Sequence, residues 1–262
     1  MKLLAIIIAF GLYHYVEKPA WLRNFSWVDQ WQHKLTEAVE SAALRWLLVL
    51  ALPLFLCWLL FVHILGVTTP RIMYFVINIV ILYICLGPAT LVSEIDNESI
   101  HTALNISPEA SPQEVIKAMT NAALYRWFGV FFWYVVLGVY GALAYRLACH
   151  LVSSKNNEPF NQHALQVLSY PVTLLMTVSL ALASDFEKVW KQAKQYISME
   201  TIRSMNSQFL YESMDYAVEN CEIESKDEGK AQITERTTYT VLKRMLVVWL
   251  VFVALLVLFT KG

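Results

Sequence analysis

Apolar and polar positions along this chain fall into long alternating blocks. The clearest apolar block runs from Arg126 to Arg146, with nineteen uncharged residues between two arginines. At about 1.5 Å per residue such a stretch is roughly 30 Å long as one helix, the thickness of a bilayer's hydrocarbon core. Trp127 stands near one end and Tyr145 near the other, where amphipathic rings favour the membrane–water boundary. Tyr134, Gly138, Gly141 and Tyr145 share a stripe, and Gly138 with Ala142 adds a pair of small residues four apart. Small residues let a neighbouring helix approach closely, so the pattern predicts one transmembrane helix with a packing face at Gly138, Gly141 and Ala142.

Four more apolar blocks, at 46–67, 72–92, 167–184 and 241–260, predict further spans. Residues 1–13 are apolar but below spanning length, and predict a short membrane helix without a signal-peptide cleavage site. Between the blocks lie polar segments with helical periodicity. Trp27, Trp31, Leu35, Val39 and Ala42 recur on one face, opposite Gln30, Lys34, Glu37 and Glu40. That predicts an amphipathic helix with Ser26 as N-cap and Asp29 at the capping-box position. Ser111-Pro112-Gln113-Glu114 is a strong helix start. The fold expected is all-α: a polytopic bundle of about five spans plus the N-terminal helix, with amphipathic cytoplasmic helices. It reads as a single integral-membrane domain over 1–262, within which 185–240 is a polar cytoplasmic segment.

Composition agrees, with 57% hydrophobic residues and only 16% charged, against the usual quarter. The net charge of −1 gives no reason to expect a nucleic-acid partner; the bilayer is the partner implied. Loops 14–45, 93–126 and 185–244 carry fifteen Lys and Arg against five on the other side, which assigns the first set to the cytoplasm. The cysteines, Cys57, Cys85, Cys149 and Cys221, fit neither a zinc site nor a disulfide framework.

No phosphate-binding loop, zinc-protease motif or nucleophile elbow occurs. The informative residues are ionisable groups at membrane depth or its edge, where they are costly. Arg126 and Arg146 read either as snorkelling end anchors or as polar groups of a site. Glu94, after Gly87-Pro88, reads as a solvated loop acid, and His63 as an interface histidine. His150, one turn beyond Arg146, is placed to share a site with it, or else to stand on the surface.

The block R-W-F-G-V-F-F-W-x-x-x-x-G-x-x-G-A-L-A-Y-R at 126–146 resembles the signature of the AmpE family of proteobacterial inner-membrane proteins. Y-P-V-x-L-L-M-T-x-x-L-A-L-A-S-D-F at 170–186 and the Lys-Arg pair before a last apolar helix are similar to that family too. The resemblance implies a signal transducer or ligand sensor in β-lactamase induction, linked to cell-wall recycling. It implies a small cell-wall-derived ligand, a cytoplasmic amidase as partner, and ATP as a ligand for which the sequence offers no motif. Neither a metal nor another cofactor is evident. More distantly the chain resembles the CbiB/CobD cobalamin enzymes, through F-W-x-x-x-x-G-x-x-G-A-x-x-Y-R. Those enzymes continue with N-T-x-D, where this chain has Leu147-Ala148-Cys149-His150. They also carry a P-H-P stretch that is missing here.

The leading expectation is therefore a non-enzymatic ligand sensor with polar groups Arg126, Tyr145, Arg146, Asp185 and Asp29 in the bundle. The alternatives are a membrane ligase or transferase acting on a cobalamin or peptidoglycan precursor, and a membrane scaffold for a cytoplasmic partner.

Overall fold

The computed structural model describes residues 2–16, 25–59, 61–62, 71–87, 91–96, 100–107, 109–154, 158–184, 186–196, 205, 207–222 and 230–259. All regular structure among them is helical. In chain order the helices are α1 (Lys2–Tyr15), α2 (Ser26–Ala38), α3 (Ala42–Leu59), α4 (Arg71–Cys85), α5 (Leu91–Asp96), α6 (Ile100–Ala103) and α7 (Pro112–Ala123). A π-helical turn at Leu124–Phe128 leads to α8 (Gly129–Leu137) and α9 (Val139–Ser153). Then come α10 (Pro159–Ala183), α11 (Phe186–Tyr196), α12 (Gln208–Glu222) and α13 (Lys230–Phe259).

Three stretches are long and apolar enough to cross a membrane: Ala42–Leu59, Pro159–Ala183, and Thr234–Leu255 within α13. Many of their exposed positions carry large apolar side chains, such as Phe55, Leu56 and Trp58 on α3 and Val247, Val251 and Phe252 on α13. Continuous apolar surface of this kind belongs against lipid, which makes this a membrane protein. α1 and α4 are apolar but shorter, at 14 and 15 residues.

The Arg126–Arg146 block corrects the sequence reading. It is not one helix. Gly138 adopts φ +69°, and the chain turns back there from α8 into α9. Tyr145 lies against Gly129, sixteen residues away, where a straight helix would separate them by about 24 Å. α8 alone, at nine residues, is about 14 Å long and cannot span a bilayer. The small residues accordingly have different tasks from the single packing face expected. Gly138 has open space around it and supplies the left-handed turn. Gly141 lets α9 approach α8 within the same hairpin, where a Cβ would overlap the Trp133 carbonyl oxygen and Leu137. Ala142 is fully buried, as a packing residue should be. Gly129, which the periodicity did not single out, makes room for the Tyr145 ring.

The chain groups into two compact units, Met1–Pro88 with Gly129–Leu168, and Ala89–Phe128 with Ser169–Gly262. In the first, α1 packs on α4 through Ala5, Ile6, Ala9 and Tyr13, and α9 packs on α3 and α4. In the second, α7 packs against α12 and α13, around Met119, Leu124, Phe209, Met214 and Met245. The Ser111 capping box forms as read, with the Ser111 side chain accepting from the Glu114 N–H and Glu114 accepting in return from the Ser111 N–H. In the second half of α10, Thr173 donates to the Tyr170 carbonyl, Thr177 to Thr173 and Ser179 to Leu175. This is how a buried, hydroxyl-rich helix satisfies itself without water.

The hairpin gives a three-way test by thermal melting in detergent. Gly141→Ala should destabilise by about 3 kcal/mol, because the atom it meets is backbone. Gly129→Ala should cost about 1–2 kcal/mol, since the Tyr145 ring can move. Gly11→Ala, in the open part of α1, should stabilise by about 0.5–1 kcal/mol.

Candidate functional site

α2 and α9 are held together by a local core: Phe25, Val28 and Leu35 against Val49 and Leu50 of α3 and Leu147 and Leu151 of α9. The face that α2 buries carries Val28, Gln32 and Leu35, so Trp27 points outward, 44% exposed. Ser26 is the first helical residue rather than the cap, and the N-cap position, Phe25, makes no side-chain bond. Asp29 is thereby spared the capping role. One position from Val28, it stands at the rim of the core, facing α9. His150, flanked by Leu147 and Leu151 on α9, meets it there.

His150 Nε2 lies 3.0 Å from Asp29 Oδ1, across 121 residues of sequence. The Phe25 ring packs on His150 at 5.4 Å between centroids, and the Arg146 guanidinium lies over the same ring at 5.7 Å. A charge over an aromatic face gains about 0.5–2 kcal/mol depending on desolvation. Among the described residues no carboxylate pairs with Arg146, and its buried Nε has no hydrogen-bond acceptor. Beside the Asp29–His150 pair opens a cavity of about 610 Å³, walled also by Gln30, His33, Lys34, Ser153 and Ser154. Its size is that of a small-molecule site. An Asp-oriented imidazole with hydroxyls and an amide around it can hold a polar ligand or move a proton on one. Among the described residues no cluster of His, Cys, Asp or Glu could hold a metal ion.

Of the residues expected to form a site, Asp29 and Arg146 come together here through Phe25 and His150. Tyr145 turns inward instead, fully buried against Gly129. Asp185 lies outside the described residues, as does His63. Arg126 belongs to a different arrangement. In the second unit its Nη1 donates to both oxygens of Glu94, at 2.8 and 2.9 Å. Both side chains are nearly enclosed, Arg126 at 12% and Glu94 at 7% exposure. Glu94 is therefore a buried partner, not the solvated loop acid expected. Burial pushes its carboxyl above the ordinary range, opposed by the charge and hydrogen bond of Arg126. Nearby in that unit Asn121 accepts from the Tyr211 hydroxyl, whose pKa burial raises to about 12. Removing one partner of such a pair leaves an uncompensated charge, which makes the pair a fixed structural contact rather than an open binding group.

Sequence reasoning missed the Asp29–His150 pair because a local capping role already accounted for Asp29. No family model, no curated protein and no solved structure matches this chain.

The Glu94–Arg126 pair yields a sign-specific prediction. A raised carboxyl pKa means the folded state holds a proton more tightly than the unfolded state. Stability attached to Glu94 is thus full below its unfolded pKa and falls as pH rises toward the folded value. Arg126→Gln removes both opposing contributions, extends that fall to higher pH, and should cost about 3–5 kcal/mol at neutral pH. Adding Glu94→Gln should recover most of the loss and flatten the pH dependence, read by chemical denaturation across pH.

Proposed function

We propose that this chain is an AmpE-like protein of a bacterial inner membrane that takes part in β-lactamase induction by binding a small cell-wall-derived ligand. The observation that carries the reading is the polar cavity beside Asp29 and His150, at the end of the helix bearing the A-L-A-Y-R part of the family-like signature. Its lining suits a polar, hydroxyl- and amide-bearing fragment. The lysine and arginine distribution supports a cytoplasmic position for α2, and so a ligand arriving from the cytoplasm, where an amidase partner would act on the same fragments. Binding there would couple α2 to α9 by bridging the pair that already joins them.

One observation favours a second reading, a CbiB-like membrane ligase or transferase. His150 occupies the place where those enzymes carry an acid, and Asp29 brings a carboxylate to it from another helix. Under that reading the pair would act as a general base on a precursor.

The test is induction in a deletion strain complemented with wild type, His150→Ala or Asp29→Asn at matched membrane abundance. Deletion should abolish induction. Each variant should raise the inducer concentration needed by about 10- to 100-fold, the equivalent of one charged hydrogen bond. Unchanged induction on deletion rejects the sensor, and turnover of a precursor by the purified wild type but not Asp29→Asn supports the enzyme.

A further inference from the structure

α11 carries an aromatic stripe that its packing leaves only partly covered. Its eleven residues make about 16 Å of helix, too short to cross a bilayer. They include Lys188, Lys191 and Lys194 against a single acid, Glu187. Val189 and Ala193 are buried, on a helix that packs against α12. Phe186, Trp190 and Lys194 are each four residues from the next and so form a second stripe. Phe186 is 50% exposed. Its ring stacks on Trp190, with centroids 6.1 Å apart and planes 13° from parallel. Lys194 Nζ lies over Trp190, 5.6 Å from the ring centroid. Lys191 is exposed on the remaining, polar side.

Two observations say what covers this stripe. The first is continuity with a lipid-facing surface. α10 is long and apolar enough to cross the membrane, and Leu174, Leu175 and Leu182 are exposed along it. It ends at Ala183, and α11 starts at Phe186, four residues beyond Leu182. Aromatic rings placed just after a span stand at headgroup depth, where amphipathic helices lie flat and lysines reach outward. The second is charge. The sequence has no apolar block between 185 and 240, so α11 and the start of the apolar run in α13 share one membrane face. Exposed Lys243 and Arg244 lead that run. With Lys191 and Lys194 they give this face four exposed cations, on the side that the Lys and Arg count assigns to the cytoplasm. Cations at such a boundary complement the anionic lipid of a cytoplasmic leaflet.

We infer that α11 is an interfacial helix that docks on an anionic bilayer surface. Phe186 and Trp190 seat among the headgroups and the upper acyl chains, and Lys191 and Lys194 engage anionic lipid. This surface needs only the insertion of α10 and α13, and it is independent of the ligand proposed for the Asp29–His150 cavity.

The test uses the full-length chain, with its native cysteines replaced, in nanodiscs of phosphatidylcholine with and without phosphatidylglycerol. A nitroxide is placed at 186 or at 191, and its accessibility to a neutral, water-soluble nickel chelate is measured by power saturation. The label at 186 should be shielded from the chelate in phosphatidylglycerol discs, and the label at 191 should stay open to it. Each lysine near an anionic surface shifts the docked equilibrium about fivefold. Chelate accessibility at 186 should therefore rise about fivefold with Lys191→Gln or Lys194→Gln, and further with both, until it meets the value at 191. Omitting phosphatidylglycerol should raise it in the same way. A label at 190 carries the test if the 186 variant fails to fold. A label at 186 as open as the one at 191 in both lipids overturns the proposal and leaves the stripe to a water-borne protein partner. Shielding at 186 that ignores both phosphatidylglycerol and the lysine variants overturns it too, since protein or neutral lipid then covers the stripe.

Discussion

A backbone turned inside an apolar hairpin must satisfy its own polar groups, and the first unit is arranged around that requirement. Gly138 alone can take the left-handed conformation at no steric cost, and it reverses the chain within one residue. Reversal brings α8 and α9 into contact over their length, which only Gly129 and Gly141 permit. It also frees carbonyls at the end of α8, one of which Lys2 satisfies from α1. Irregular backbone at such a place is tolerable only where protein or a polar cavity covers it. The apolar helices α1 and α4, packed on each other, provide that cover.

Charge is placed by the same economy. Among the described residues, buried acidic and basic side chains occur in close pairs: Arg126 with Glu94, Arg45 with Glu158 at 2.9 Å, and Glu235 with His101 at 3.3 Å. Arg45 also donates to the Val39 and Glu40 carbonyls, closing the end of α2 just ahead of α3. Arg146 is the exception, resting on the Phe25 ring with no carboxylate beside it among the described residues. A cation held by an aromatic face and left without an anion, one ring away from an Asp–His pair, is a group kept available.

What the sequence made legible was local or long. The Ser111 box needs only four consecutive residues, and it formed as read. α3, α10 and the apolar part of α13 were evident because a long apolar run has few other solutions. The hairpin was hidden because nineteen uncharged residues look the same whether they run straight or fold back. Its signal was the set of three glycines at 129, 138 and 141, of which periodicity assigned Gly138 and Gly141 to a single face and passed over Gly129. The Asp29–His150 pair was hidden by distance, since nothing local relates residues 121 positions apart. Glu94 misled for a related reason: a Gly-Pro break suggests solvent, and only the tertiary approach of Arg126 shows that the acid is enclosed.

The packing of the first unit depends most on the reversal at Gly138. Nitroxide labels at positions 132 and 144, in a background with the native cysteines replaced, measure it directly in reconstituted bilayers. Packed antiparallel helices put the two backbones about 10 Å apart, giving strong dipolar broadening. One continuous helix would separate them by about 18 Å along its axis and leave the spectrum only weakly broadened. The short distance is the result expected, and the long one would contradict the hairpin.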